Sequence, residues 1–107
     1  MRASVCVVGL GYIGLPTAVV LARANGNVAG YEIDDVKRRI IFGGRAPFAE
    51  KGLDGALREV LEAESLTVAD TLPEANCYIV AVPTPIDADK NVDLAYLKSA
   101  IRQVSVR

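Results

Sequence analysis

Three glycines near the amino terminus stand at the spacing of a phosphate-binding turn. Gly9, Gly11 and Gly14 form the pattern G-x-G-x-x-G in the stretch VCVVGLGYIGLPTAVVLA. Where such a pattern joins a strand to a helix, the first glycine permits a tight turn, the second lets the backbone approach a pyrophosphate, and the third lets the helix pack against the strand. The N–H groups and the positive dipole at the start of the helix then face the phosphates.

The residues on either side of the glycines predict the strand and the helix that such a site needs. The β-branched run ASVCVV, residues 3–8, is typical of a strand buried on both faces of a parallel sheet. After the turn, apolar residues recur at helical spacing until Gly26, which supplies a stop. The stripe expected to face the sheet consists of Ile13, Thr17, Val20, Leu21 and Ala24.

An acidic residue after the second predicted strand supports dinucleotide binding. Glu32 ends the segment NVAGYE, eighteen residues after Gly14. A carboxylate at this distance accepts hydrogen bonds from the adenosine ribose hydroxyls and repels a 2′-phosphate, so it selects NAD over NADP. A surface glutamate in a turn is the structural alternative, but strand, glycines, helix, strand and acid in this order favour a dinucleotide site.

The long uncharged stretch, residues 3–22, could also be a secretory signal or a membrane span. The three glycines and Pro16 interrupt the apolar run that either segment requires, so we predict neither. Cys6 and Cys77 both lie in apolar runs, which predicts two buried thiols and no disulfide. This cysteine usage is typical of a cytoplasmic protein.

The remaining sequence predicts further helices and two more strands. The first is a helix at 34–43, which begins at Asp34 or Asp35 and carries Lys37, Arg38 and Arg39 on a solvated face. A loop at 45–52, a helix at 54–64, a strand at 65–69 and a turn at 70–75 follow. The last two elements are a buried strand at 77–82 and a helix that begins at Asp93. The apolar stripe of the helix at 54–64 is expected to consist of Leu53, Leu57, Val60 and Leu61.

Four strands joined by helical crossovers predict an α/β fold: a Rossmann-like parallel sheet flanked by helices, the first half of a doubly wound fold. The simplest strand order is 3-2-1-4. Ligands bind outside the carboxyl ends of strands where this order reverses, so the glycine turn and the sequence VPTP, residues 82–85, are expected to line one crevice. Thr84 could cap its own turn or contact the nicotinamide half of a cofactor.

Composition limits the other classes of function. The chain has 107 residues, 51% hydrophobic and 23% charged, which is typical of one compact domain over residues 1–107. Its net charge of −1 gives no basic face for nucleic acid or for an anionic membrane. Because it has no histidine, it lacks the usual general base and the commonest metal ligand, and we predict no metal site.

Three segments, GLGYIGLPTA, GRAPFAEKGL and CYIVAVPTPIDADKNVDLAYL, together resemble the N-terminal NAD-binding domain of the UDP-glucose and GDP-mannose 6-dehydrogenase family. The form VPTPID followed by DL is most similar to the branch that oxidises UDP-N-acetylglucosamine or UDP-N-acetylmannosamine. The resemblance implies an NAD-dependent, two-step oxidation of the sugar C6 alcohol through an aldehyde to a carboxylate.

The resemblance also implies which residues bind the cofactor. They are Gly9, Gly11 and Gly14 with the backbone of Tyr12 and Ile13 at the pyrophosphate, Glu32 and Lys37 at the adenosine ribose, and Val82 and Thr84 near the nicotinamide. Two positions depart from the family pattern. Glu32 replaces the commoner aspartate, which keeps the hydrogen bonds with a longer reach, and Lys51 stands where many relatives have proline.

The resemblance places the nucleophilic cysteine and the lysine of the reaction outside these 107 residues. We therefore expect an N-terminal fragment that binds NAD without turnover, with no catalytic residue of its own and with the UDP-sugar bound by the whole protein. The outer side of the fourth strand, residues 78–82, is expected to be an open edge that pairs with another chain as a homo-oligomer.

Two alternatives remain open. The first is a stand-alone Rossmann-type module that senses a nucleotide, which the short chain would suit. The second is the 6-phosphogluconate or hydroxyisobutyrate dehydrogenase group, which shares the opening GLG. The sequence VPTPID argues against both, and Glu32 argues against the NADP-using members of the second.

Overall fold

The computed structural model describes residues 3–81 of the chain. Within this range the strands are β1 (Ala3–Val8), β2 (Val28–Tyr31), β3 (Leu66–Ala69) and β4 (Ala75–Val80). The helices are α1 (Gly14–Asn25), α2 (Asp35–Phe42) and α3 (Leu53–Glu62). The predicted helix at Asp93 lies outside the described residues.

The described strands form one parallel sheet in the predicted order, β3-β2-β1-β4. Val8, the last residue of β1, lies between Tyr31 of β2 and Val80 of β4 in the register of the sheet. The carboxyl ends of these three strands therefore meet at one edge of the sheet. The loops that leave this edge include the glycine turn and the turn that carries Glu32.

Side chains of β1 alternate between two apolar layers, as expected for a strand buried on both faces. Val5 and Val7 point into the layer covered by the helices, where Leu15, Ile41 and Leu57 are fully buried. The opposite layer contains Cys6, Val8, Ala29, Leu72 and Ala75. Each fully buried Val, Leu or Ile contributes about 1.5–3 kcal/mol relative to an exposed one, so both layers stabilise β1 at the centre of the sheet.

The helices α2 and α3 begin and pack close to the predicted positions. Asp34 caps α2, because its Oδ1 accepts hydrogen bonds from the N–H groups of Val36 at 2.9 Å and Lys37 at 3.1 Å. In α3, Leu53, Leu57 and Val60 are buried as predicted. Within residues 3–81, no helix has both the length and the apolar character needed to cross a membrane.

The predicted apolar stripe of α1 is wrong for most of its members: Leu21 is half-buried against the core, but Ala24 is exposed. Ile13 and Val20 are 66% and 64% exposed. Gly14 determines which face of the helix meets the sheet, because a Cβ atom at position 14 would lie 1.7 Å from the carbonyl oxygen of Gly9. Gly14 must therefore face the turn and the sheet, whatever the apolar character of its neighbours. The side chains buried on this face are Leu15, Ala18, Val19 and Ala22.

The prediction of a buried strand at 77–82 is also wrong in part. The strand is Ala75–Val80, and Cys77 is exposed while Tyr78 to Val80 are half-buried. The reason is position: in the part of the chain that the structure describes, β4 is the outermost strand on its side of the sheet and pairs with β1. Val82, the predicted end of this strand, lies outside the described residues.

The two cysteines should differ in reactivity. Burial raises the pKa of Cys6 from 9.0 to about 11, so at about pH 8 only about one Cys6 side chain in a thousand is thiolate, the reactive form. We expect iodoacetamide to modify Cys77 and to leave Cys6 unmodified in the folded chain, as measured by peptide mass spectrometry. Cys77→Ser should abolish fast labelling and Cys6→Ser should not; fast labelling of Cys6 in the folded chain would contradict this assignment.

Gly14→Ala should destabilise the fold strongly, because its methyl group would overlap the Gly9 carbonyl. Overpacking typically lowers the free energy of unfolding by about 1–3 kcal/mol. Because the clashing atom belongs to the backbone, we expect a loss at or above the upper end of this range. Gly55→Ala on α3 is the matched control, since a Cβ there meets no atom of the described residues within 4 Å and alanine favours a helix over glycine by about 0.5–1 kcal/mol. Urea unfolding of the two variants should therefore shift in opposite directions, and equal stability of Gly14→Ala and the unsubstituted chain would refute the contact.

Candidate functional site

The turn between β1 and α1 is built by its glycines in three different ways. Gly9 has φ +97°, a conformation that favours glycine, and its N–H donates to the carbonyl oxygen of Tyr31 at 2.7 Å. Gly14 allows the close approach of the helix to the Gly9 carbonyl. A Cβ atom on Gly11, in contrast, would meet no atom of residues 3–81 within 4 Å, and the φ of Gly11 is not positive. Neither packing nor backbone strain within the described residues therefore requires glycine at position 11.

The start of α1 leaves backbone donors for a ligand. Leu15 donates its N–H to Gly11 at 3.0 Å and so closes the first turn of the helix, and Ile13, at the cap position, makes no side-chain cap hydrogen bond. Among residues 3–81, no hydrogen bond uses the N–H groups of Gly11, Tyr12 or Ile13. Because these groups lie at the positive end of the helix dipole, they suit an anion such as a phosphate.

Glu32 is buried at the same edge of the sheet, with 8% exposure. Its Oε1 accepts the N–H of Leu10 at 2.9 Å, and its Oε2 accepts the N–H of Asp34 at 2.9 Å. These two charge-assisted hydrogen bonds compensate for burial of the carboxylate and connect the glycine turn to the turn after β2. An ionised carboxylate has about four acceptor sites, so Glu32 keeps capacity for the hydroxyl groups of a ribose.

The sequence places Lys37, Arg38 and Arg39 on one solvated face, and the structure separates Arg38 from the other two. Arg38 is half-buried, its Nη1 donates to the backbone oxygen of Glu32 at 2.9 Å, and its Nη2 pairs with Asp35. Lys37 is exposed in the first turn of α2 and makes no ion pair within residues 3–81. Arg38 therefore fixes the backbone at the end of β2, while Lys37, one residue earlier in α2, stays exposed.

The glycine turn and the start of the segment after β4, the two expected sides of the crevice, lie next to each other within the described residues. Ala81, which follows β4, donates its N–H to the carbonyl oxygen of Val8 at 2.7 Å. Its Cβ lies 3.3 Å from the position that a Cβ on Gly14 would occupy. The chain after β4 thus begins beside the glycine turn. Val82 and Thr84, the residues predicted for this side, lie outside the described range.

An aromatic contact at the turn has no signal in the sequence. The ring of Tyr12, which is 72% exposed, packs on the ring of Phe48 with centroids 5.7 Å apart and a tilt of 52°. The two residues lie in separate loops, and neither spacing nor periodicity relates them. Across residues 3–81 there is no group of three or more His, Cys, Asp or Glu side chains that could hold a metal ion.

A family model for the NAD binding domain of the UDP-glucose/GDP-mannose dehydrogenase family matches residues 3–107. A UDP-N-acetyl-D-mannosamine dehydrogenase of Methanococcus aeolicus is 42% identical over 103 residues, which are 94% of this chain and 24% of that protein. The chain therefore spans about a quarter of the length of the curated relatives that it matches.

Solved structures of the same group have the same fold. A UDP-D-ManNAc dehydrogenase from Pyrococcus horikoshii is 41% identical, with a TM-score of 0.88 over 99% of this chain and 25% of that one. A UDP-N-acetyl-mannosamine dehydrogenase from Staphylococcus aureus is 32% identical, with a TM-score of 0.89 over 97% of this chain and 26% of that one. The Rossmann-like fold is confirmed.

The family match decides between the interpretations that the sequence left open. It favours a dehydrogenase over a stand-alone sensing module, and it confirms NAD as the cofactor. It also agrees with the geometry at the glycine turn, where the N–H groups of residues 11–13 have no partner among residues 3–81 and the neighbouring Leu10 N–H donates to the buried carboxylate of Glu32. By sequence, by fold and by the match over residues 3–107, this chain belongs to the UDP-glucose/GDP-mannose dehydrogenase family and corresponds to its NAD binding domain.

Proposed function

We propose that the glycine turn binds the pyrophosphate of NAD and that Glu32 binds the adenosine ribose. Gly11 carries this proposal, since within residues 3–81 a Cβ there meets no atom closer than 4 Å and the N–H groups of residues 11–13 have no partner. A glycine that neither packing nor φ requires is explained by a ligand that approaches the backbone. Lys37, exposed in the first turn of α2, is proposed to add positive charge at the adenosine end.

The structure allows Glu32 to act on the ribose without releasing its protein partners. Its two oxygens each accept one backbone N–H, and the second lone pair of each can accept a ribose hydroxyl. A 2′-phosphate at the same place would bring two negative groups together at a buried site, which is unfavourable. The chain should therefore prefer NAD to NADP. Val82 and Thr84 are proposed to line the nicotinamide end.

For the whole protein we propose oxidation of the C6 alcohol of a UDP-N-acetylhexosamine to the carboxylate. The named relatives, UDP-N-acetyl-D-mannosamine dehydrogenases, support this substrate class, and UDP-glucose is the nearest alternative. When bound, NAD would supply the hydride acceptor for each of the two oxidation steps, and water would supply the second carboxylate oxygen. This chain contributes the cofactor site, while the sugar and the residues that react with it are proposed to lie in the part of such proteins beyond this chain. Self-association through β4 stays a prediction.

Calorimetric titration of this chain with NAD and NADP tests the cofactor site. We expect NAD to bind at least about tenfold more tightly than NADP, since each tenfold corresponds to about 1.4 kcal/mol and one charge repulsion at a buried site supplies that much. Glu32→Ala should weaken NAD binding and reduce the preference for NAD over NADP to within about threefold.

Arg39→Ala provides the control, because Arg39 is an exposed cation on α2, the helix that follows Glu32, and has no ion pair in the described range. It should keep the full preference for NAD. Equal binding of NAD and NADP by the unsubstituted chain, or an unchanged preference in Glu32→Ala, would contradict the role proposed for Glu32.

A further inference from the structure

The loop between α2 and α3, residues 45–52, is fixed beside the glycine turn. Near its start, the backbone N–H of Ala46 donates to Oδ1 of Asp54 at 2.8 Å. At its centre, Phe48 is half-buried and packs against the apolar layer under the helices. The ring of Phe48 also contacts the ring of Tyr12. The loop thus connects the core of the protein to the side chain of a residue in the turn.

Tyr12 occupies the part of the turn that has few other restraints. On one side, Glu32 holds Leu10 through its N–H; on the other, the Leu15 N–H bonds to the oxygen of Gly11. Between these two bonds, the N–H groups of residues 11–13 have no partner within residues 3–81. Apart from Phe48, no aromatic ring in the described range contacts Tyr12. Two side-chain contacts therefore hold this segment: the ring pair at Tyr12, and the hydrogen bond that the Thr17 hydroxyl donates to the carbonyl oxygen of Ile13 at 2.8 Å.

We propose that Phe48 is a positioning residue for the dinucleotide site. By packing on Tyr12, it holds the N–H groups of residues 11–13 in the arrangement that accepts a pyrophosphate, without touching the cofactor itself. A segment that is ordered before binding loses less conformational freedom when the ligand arrives. This inference rests on the proposed function, since it assigns Phe48 a role in binding the pyrophosphate of NAD.

The test compares Phe48→Leu with Phe42→Leu, the other phenylalanine of the chain. Phe42 lies at the end of α2 and is 65% exposed, in a groove lined by residues of β3 and not by the glycine turn. Each variant is titrated with NAD and with adenosine, which has the ribose but no pyrophosphate. Amide hydrogen exchange of Leu15 is measured without ligand, because its N–H bonds to Gly11 in the turn.

We expect Phe48→Leu to weaken NAD binding about threefold to tenfold, the range that aromatic pairs contribute, and to leave adenosine binding within about twofold. Exchange at Leu15 should become about threefold to tenfold faster in the same variant. Phe42→Leu should change none of these quantities. In the double variant with Tyr12→Leu, NAD binding should be no weaker than in Tyr12→Leu alone, because the ring contact is already lost.

Several results would overturn the proposal: equal weakening of NAD and adenosine by Phe48→Leu, an equal effect of Phe42→Leu, or unchanged exchange at Leu15. Additive losses in the double variant would do the same. If Phe48→Leu does not fold by circular dichroism, Phe48→Met keeps the side-chain volume without the ring and replaces it. If the unsubstituted chain binds no NAD although Phe48→Leu speeds hydrogen exchange at Leu15, the proposed function fails. Phe48 would then stabilise the turn without any role in binding.

Discussion

The close contact between Gly14 and the carbonyl of Gly9 determines how the amino-terminal half of the structure is arranged. It brings the first turn of α1 against the end of β1, at a distance that no side chain at position 14 could allow. It also sets which face of α1 meets the sheet, with Ala18 and Ala22 on that face. As a result, the amino terminus of α1 points out at the edge where β1, β2 and β4 end, and its N–H groups are left for a ligand.

Glu32 connects the stability of this edge to its specificity. The carboxylate holds the backbone of Leu10 and of Asp34, so it orders both turns before any cofactor binds. The same oxygens are the groups proposed to select NAD. Arg38 adds to this order by donating to the backbone oxygen of Glu32.

The sequence predicts most of the fold because its signals are local. Each of these signals concerns residues near one another in the chain: the strand and helix patterns, the cap at Asp34 and the glycine spacing. The strand order follows from the right-handed crossover connections between parallel strands. Contacts between distant segments have no such signal. The contact between Gly14 and Gly9 decides which face of α1 is buried. Cys77 is exposed because β4 lies at the edge of the described sheet. The ring of Tyr12 packs on Phe48, which is distant in sequence. The hydrogen bond from the Leu10 N–H to the Glu32 carboxylate is another contact between distant segments that has no local signal.

The most direct test of this account is to add one methyl group at Gly11 and measure both stability and NAD affinity. Because a Cβ there meets no atom of residues 3–81 within 4 Å, Gly11→Ala should leave the thermal midpoint unchanged or raise it by up to about 8 °C, while NAD binding falls at least about tenfold. A folded Gly11→Ala chain that binds NAD as tightly as the unsubstituted one would contradict the central claim, that the cofactor's pyrophosphate lies against the backbone of this turn.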